Sequence, residues 1–184
     1  MKITAKRITT TAVLLAICIV FQFFKNLSVF ITGPIVNACI LLAVVSCGPV
    51  CGVILSVITP ITAFLITGAP IMKMFPVIMP LIMCGNAILA LVFWAFDHKK
   101  QNNVFFIVGG LVGACAKALF MGLTISLGVL GTATLPEKMA PMLPKLQMTY
   151  SVIQLATALI GLVYAFIIWI PLKKAFYSTE PAKQ

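Results

Sequence analysis

Long apolar stretches separated by short polar connections cover nearly the whole chain. Several stretches reach about 18 residues or more, the length that an α-helix needs to cross the hydrocarbon core of a membrane. Their apolar and polar residues do not alternate, as they would in the strands of a membrane β-barrel. The pattern therefore predicts six membrane-spanning helices, at about residues 8–24, 34–46, 50–66, 76–96, 104–130 and 147–170.

The composition agrees with this pattern. Hydrophobic residues make up 62% of the chain and charged residues 9%, and the mean hydropathy is +1.17. A water-soluble domain cannot carry so much apolar surface. We therefore expect residues 1–184 to form one all-α membrane domain, a bundle of six transmembrane helices.

The net charge of +10 reflects basic residues at the predicted helix ends, not a patch suited to nucleic acid. Because six spans put both termini on one side, the connections can be divided between two sides of the membrane. The side of the termini has eight basic residues and the other side has four, which predicts that both termini are cytoplasmic. The eight are Lys2, Lys6, Arg7, Lys99, Lys100, Lys173, Lys174 and Lys183, and the four are Lys25, Lys73, Lys138 and Lys145.

Several kinds of chemistry are missing from the predicted spans. The three acidic residues, Asp97, Glu137 and Glu180, all fall in connections or in the C-terminal tail, and so does the single histidine. The spans therefore lack the usual proton relay of a pump and the acid–base groups of an intramembrane protease. The six cysteines lie in apolar segments with no zinc-binding spacing. We expect a protein that is not an enzyme and that holds no metal or cofactor of its own.

One lysine stands out against this background. Lys117 lies about 14 residues into the fifth predicted helix, or roughly 20 Å at ~1.5 Å per residue, deep in the hydrocarbon core. Exposure to lipid there costs at least ~2.5 kcal/mol, so its side chain should face the interior of the bundle. No acidic residue is expected at that depth. The amine must therefore contact backbone carbonyls, amides, water or the carboxylate or phosphate of a ligand, or else lose its proton.

Small and polar residues recur around Lys117 at helical spacing. On the fifth helix they include Thr124, on the sixth Gln147, Tyr150 and Gln154, and on the fourth Asn86. We expect Lys117 to pair with an anionic group of a ligand, Asn86 and Gln154 to hydrogen-bond its polar edge, and Tyr150 to stack on it or cap it. The alternative is close helix packing by small residues with incidental hydrogen bonds. The candidate substrate-binding residues are Lys117, Asn86, Gln154, Tyr150, Thr124, Gln147 and Asn37.

Polar residues at the outer ends of the first two helices are further candidates. Gln22, Lys25, Asn26 and Asn37 would complete or cover such a site, together with Ile31-Thr32-Gly33-Pro34, which is expected to be flexible. The alternative for each of them is an ordinary polar group in a loop.

A stripe of small residues on the first helix is typical of a surface that a second helix can approach closely. Ala12 and Ala16 are four residues apart, and Ala5 and Thr9 roughly continue the stripe. These alanines are candidates for binding a partner protein, although packing within the bundle gives the same pattern.

Taken over its whole length, the chain resembles the substrate-binding S component of an energy-coupling factor (ECF) vitamin transporter. The resemblance rests on the six spans, the basic N-terminus before Ala12 and Ala16, the glycine- and proline-rich first loop and the Gly85-Asn86-Ala87 stretch. It implies capture of a vitamin or related nutrient near the outer face of a prokaryotic plasma membrane. It also implies docking through Ala12 and Ala16 onto a transmembrane coupling subunit with two ATPase subunits, which use the ATP, while the S component topples in the membrane to deliver its cargo.

Two other classes of function fit the same composition. A structural or assembly protein of the envelope would have no ligand, and bulky apolar contacts would fill the polar face around Lys117. A self-contained channel or facilitator would conduct small solutes without ATPase partners.

Overall fold

The computed structural model describes residues 5–24, 28–97, 102–132 and 140–177. They form a helical bundle without strands, and six of its segments are long and apolar enough to cross a membrane, as the sequence predicts. A π-helical segment, Gly122–Val129, joins α6 to α7, and a 3₁₀ turn, Ala140–Met142, precedes α8. The α-helices are α1 Ala5–Gln22, α2 Val29–Cys47, α3 Pro49–Thr67, α4 Pro70–Met74, α5 Ile78–Asp97, α6 Asn103–Met121, α7 Leu130–Thr132, α8 Leu143–Thr149 and α9 Val152–Tyr177.

Helix α2 occupies the centre of the bundle and packs against α1, α3, α5 and α9. Its residues from Asn37 to Val44 are all buried. A helix that is apolar on every side is stable only when neighbours surround it, and the sequence of α2 has this character. The remaining spans are arranged around α2, with α5 packed between α3 and α6.

The start of α2 corrects the sequence-based boundary. The prediction placed a connection up to residue 33 and began the helix at Pro34, but α2 begins at Val29 and contains Pro34. The Ser28 side chain caps the helix by accepting a hydrogen bond from the Phe30 N–H, 3.1 Å away. Membrane helices tolerate internal prolines when neighbouring helices surround them. Ile31-Thr32-Gly33-Pro34 is therefore helical, and not the flexible loop that the sequence suggested.

The last two spans also depart from regular α-helices. The fifth span winds as a π-helix from Gly122 to Val129. The sixth, predicted as one helix over 147–170, is interrupted at Tyr150 and Ser151, between α8 and α9. The last span, predicted to end at residue 170, continues through Pro171, which lies inside α9.

Two apolar clusters fill the two ends of the bundle. The first, here called the proximal core, lies toward the end where α1 begins and includes Leu41, Leu55, Phe93, Phe106 and Trp169. Its aromatic rings are in contact, with the Phe93 and Phe106 centroids 5.0 Å apart in an edge-to-face arrangement. The second, the distal core, lies at the opposite end and comprises Ile71, Met72, Ile78, Met121, Ile125, Leu130 and Tyr150.

Helices α2 and α9 approach closely because Gly161 has no side chain. A methyl group added there would lie 2.6 Å from the carbonyl oxygen of Pro34 and 2.7 Å from Cβ of Asn37. We predict that Gly161→Ala separates the two helices and lowers the free energy of unfolding by roughly 1–3 kcal/mol. Thermal unfolding in detergent measures this change.

The matched control is Gly131→Ala, where the added methyl group would meet only the Ser126 carbonyl oxygen, 3.7 Å away. A change at such an exposed position is expected to stay within about 0.5 kcal/mol. Equal melting temperatures for the two variants would contradict the proposed close contact at Gly161.

Candidate functional site

A cavity lies between the proximal and distal cores, in the half of the bundle away from the N-terminus. It is bounded by the end of α1, the first turns of α2, the second half of α3, the first half of α5, the second half of α6 and the start of α9. The centres of water molecules can occupy about 130 Å³ of it. This is roughly ten times the space that one buried water needs, so the cavity can hold a small organic molecule.

The wall of the cavity is chemically mixed. Apolar groups come from Val29, Val36, Pro60, Met72 and Ile82. Such a wall suits a molecule that is apolar in part and polar in part. The polar lining residues are Gln22, Thr32, Asn37, Thr59, Asn86, Lys117, Thr149, Tyr150 and Gln154.

Lys117 is the one cation among the residues that line the cavity, and it is only 2% exposed. Its Nζ donates a hydrogen bond of 2.6 Å to Oδ1 of Asn37, which links α6 to α2. An ammonium group has three N–H donors, so this bond leaves further donors available. The described residues that line the cavity include no aspartate or glutamate, so Asn37 satisfies the amine without neutralising it.

Close helix contacts fix the positions of Lys117 and Asn37. A methyl group added at Gly161 would collide with Cβ of Asn37, so α9 lies directly against this asparagine. A methyl group at Gly85 would lie 2.7 Å from Cγ of Met121 and 3.8 Å from Cγ of Lys117, so α5 packs equally closely on α6. These contacts leave both side chains little freedom to move.

Three other predicted residues lie around the same cavity. Asn86 is 4% exposed and lines the cavity from α5. Tyr150 lies in the break between α8 and α9 and is buried, and Gln154 follows on the first turn of α9. With Lys117 and Asn37, five of the seven predicted substrate-binding residues line one cavity. Their roles toward a ligand remain predictions.

The other two, Thr124 and Gln147, do not line the cavity. Thr124 belongs to the π-helical segment, where the α-helical spacing counted from Lys117 no longer applies. Its hydroxyl donates to the Phe120 carbonyl, at 2.7 Å. Gln147 lies on α8, where its Nε2 donates to the Ser126 carbonyl, at 3.2 Å, and so ties α8 to the π-helical segment.

Helix α3 also contributes to the lining of the cavity, which the sequence did not lead us to expect. Thr59, Pro60 and Ala63 line the cavity, and the Thr59 carbonyl accepts a hydrogen bond from Nε2 of Gln22, at 3.0 Å. The small and polar residues Ser56, Thr59, Ala63 and Thr67 recur on α3 at spacings of three and four, which was the available signal.

Of the residues proposed to cover the site, Gln22 and part of the first turns of α2 line the cavity, whereas Lys25 and Asn26 lie outside the described residues. Glu137 and Glu180 also lie outside them. Among the described residues, no group of His, Cys, Asp and Glu could hold a metal ion.

The predicted partner-binding residues lie on the middle turns of α1 and do not line the cavity. Ala12 and Ala16 are both exposed, as are Ala5 and Thr9, so the stripe does not pack within the bundle. Of the six spanning segments, α1 is the least buried inside the molecule.

Comparison with known protein families gives one match. Residues 6–173 match the family described as the substrate-specific component of the ECF transporter. No curated protein and no solved structure matches the chain.

The bond between Lys117 and Asn37 leads to a test of how the amine is stabilised. We predict that Asn37→Leu lowers the free energy of unfolding by about 1–3 kcal/mol, because it leaves a buried polar group without its acceptor. The second substitution, Lys117→Met, should recover most of that loss, since the amine that needed Asn37 is then gone. Thermal unfolding of the two single variants and the double variant measures the coupling. Purely additive effects would contradict it.

Proposed function

The chain belongs to the substrate-specific components of ECF transporters, and we propose that it captures a water-soluble vitamin or related small nutrient for an ATP-driven importer. The nutrient carries an anionic group and binds in the cavity beside Lys117. A prokaryotic plasma membrane is the proposed location, with both termini cytoplasmic. The observation that carries this proposal is a buried lysine amine with spare N–H donors at the wall of a ligand-sized cavity.

The position of the cavity supports capture from outside the cell. Every element that lines it contributes the end or half that lies away from the N-terminus of α1. If the excess of basic residues holds the termini on the cytoplasmic side, the cavity faces the outer half of the membrane. A nutrient that arrives from outside would reach it without crossing the proximal core.

The charge of the cavity supports an anionic cargo. Lys117 has an amide as its neighbour and no carboxylate among the described lining residues. A carboxylate or phosphate of the cargo would form charge-assisted hydrogen bonds with the donors that Asn37 does not use. Asn86, Gln154 and Tyr150 would then contact its polar edge, and Val36, Met72 and Ile82 its apolar part.

The packing supports a binding subunit over a channel or a purely structural protein. Buried apolar residues of the proximal core fill the bundle between the cavity and its other end, which favours a closed binding site over a channel. The polar groups around Lys117 enclose open space and are not covered by bulky apolar contacts, as they would be in an assembly protein without a ligand.

The described residues that line the cavity include no Asp, Glu or His that could couple transport to a proton gradient. Transport against a gradient would therefore depend on partners. We propose that the exposed alanine stripe of α1 docks on a transmembrane coupling subunit, and that two ATPase subunits hydrolyse the ATP. Small exposed residues four apart let a partner helix approach closely. No cofactor is proposed for this chain itself.

Removal of the buried cation tests the binding role. We predict that Lys117→Met weakens cargo binding by about tenfold or more, because a hydrogen bond to a charged group contributes roughly 1.5–3 kcal/mol. The molecule retained by the purified wild-type protein would be identified by mass spectrometry and titrated calorimetrically against each variant. Lys73→Met, which removes an exposed cation from α4, is the matched control and should bind normally. An unchanged affinity in Lys117→Met would remove the lysine from the binding site.

A bulkier stripe on α1 tests the partner surface. We predict that Ala12→Leu combined with Ala16→Leu reduces co-purification of the coupling and ATPase subunits several-fold and leaves cargo binding unchanged. The control is Cys115→Leu, an equally exposed small residue on α6. Normal recovery of the partners with the double variant would show that they dock elsewhere.

A further inference from the structure

A second wall of the cavity carries an acceptor without a donor. Gln22, at the end of α1, is 1% exposed, and its Nε2 donates to the Thr59 carbonyl, at 3.0 Å. Its Oε1 is buried and has no hydrogen-bond partner among the described residues. Buried amide oxygens are nearly always hydrogen-bonded, so an exception at the wall of a cavity needs an explanation.

The orientation of the Gln22 amide follows from its partner. A backbone carbonyl can only accept, so the nitrogen must face Thr59 and the oxygen must be the group left over. A rotation of the amide that exchanged the two atoms would set two oxygens against each other and gain nothing. The unsatisfied group is therefore an acceptor, and only a donor can satisfy it.

Gln22 and Lys117 lie on different walls of the cavity. Gln22 bridges α1 and α3, whereas Lys117 belongs to α6 and is bonded to α2. Helix α5 packs between α3 and α6 and contributes Asn86 to the lining. The cavity is thus lined by Lys117 on one wall and, on another, by Gln22, whose buried amide oxygen lacks a donor.

We infer that the cargo has two polar ends: an anionic group that meets Lys117 and a neutral N–H or O–H group that donates to Oε1 of Gln22. The inference rests on the proposed function and narrows its substrate class. The cargo is an acid that also carries an amide N–H, a neutral heterocyclic N–H or a hydroxyl group. The donor is neutral because the described lining residues include no carboxylate to balance a second charge of the cargo. A plain fatty or aromatic monocarboxylate offers no such donor and falls outside the inferred class.

The chain offers a matched control for Gln22. Gln147 also donates its Nε2 to a backbone carbonyl of another segment, that of Ser126, at 3.2 Å, but it does not line the cavity. The substitutions Gln22→Met and Gln147→Met therefore each remove one glutamine-to-backbone bond. Only the first removes the acceptor at the cavity.

The experiment uses the full-length protein and, as its probe, the small molecule that the wild type carries through purification in detergent. Mass spectrometry of the extract gives its formula and charge, and a second spectrum after exchange into D₂O counts its N–H and O–H hydrogens. We expect a negatively charged molecule with at least one exchangeable hydrogen outside its acid group. Titration of the extracted molecule should show about tenfold weaker binding to Gln22→Met and unchanged binding to Gln147→Met.

A retained molecule without such a hydrogen overturns the inference and leaves the proposed function standing. The same holds if Gln22→Met and Gln147→Met bind the extracted molecule equally well. A wild-type protein that retains no small molecule overturns the proposed function itself, and this inference with it. Melting temperatures of both variants, recorded without the molecule, separate a loss of binding from a loss of fold.

Discussion

A cation at the depth of the hydrocarbon core must receive its polar partners from the protein, and this requirement organises the distal half of the bundle. Lys117 obtains an acceptor from Asn37 on the central helix α2. That acceptor is held in place because Gly161 allows α9 to pack against Asn37. The glycine, the asparagine and the lysine thus belong to three helices but form one arrangement. Since a lysine exposed to lipid would be costly, the arrangement also fixes which face of α6 turns inward.

The amine itself was predictable from the sequence, and so was much of its surroundings. The depth of Lys117 on an apolar helix required an inward orientation, which the structure has. Asn86, Tyr150 and Gln154 were identified from helical spacing, and they line the same cavity. Spacing succeeds there because these residues lie on α-helical turns or immediately beside one. Asn37 was predicted to lie near the outer end of its helix, and its contact with Lys117 needed the three-dimensional packing of α2 against α6.

The failures have a common cause, which is local backbone geometry that hydrophobic periodicity does not record. Thr124 was placed on the face of Lys117 by counting α-helical turns, but the backbone there is π-helical. The start of α2 was placed at Pro34 because proline is a helix breaker in water. Within the bundle, the cap provided by Ser28 and the surrounding helices outweigh that preference.

Helix α1 connects the two surfaces on which the proposed function depends. The exposed Ala12 and Ala16 lie in its middle, and Gln22 lies at the cavity, about 15 Å further along than Ala12 at ~1.5 Å per residue. An α-helix transmits displacement along its axis because its backbone hydrogen bonds resist stretching. Any movement of α1 caused by a docked partner would therefore reach the contact between Gln22 and the Thr59 carbonyl. That contact is a single hydrogen bond between two helices, as is the bond between Lys117 and Asn37. Helix α1 itself contributes Gln22 to the lining, whereas Lys117 and Asn37 belong to α6 and α2, so the Gln22 wall is the part of the cavity that a partner docked on α1 would reach most directly.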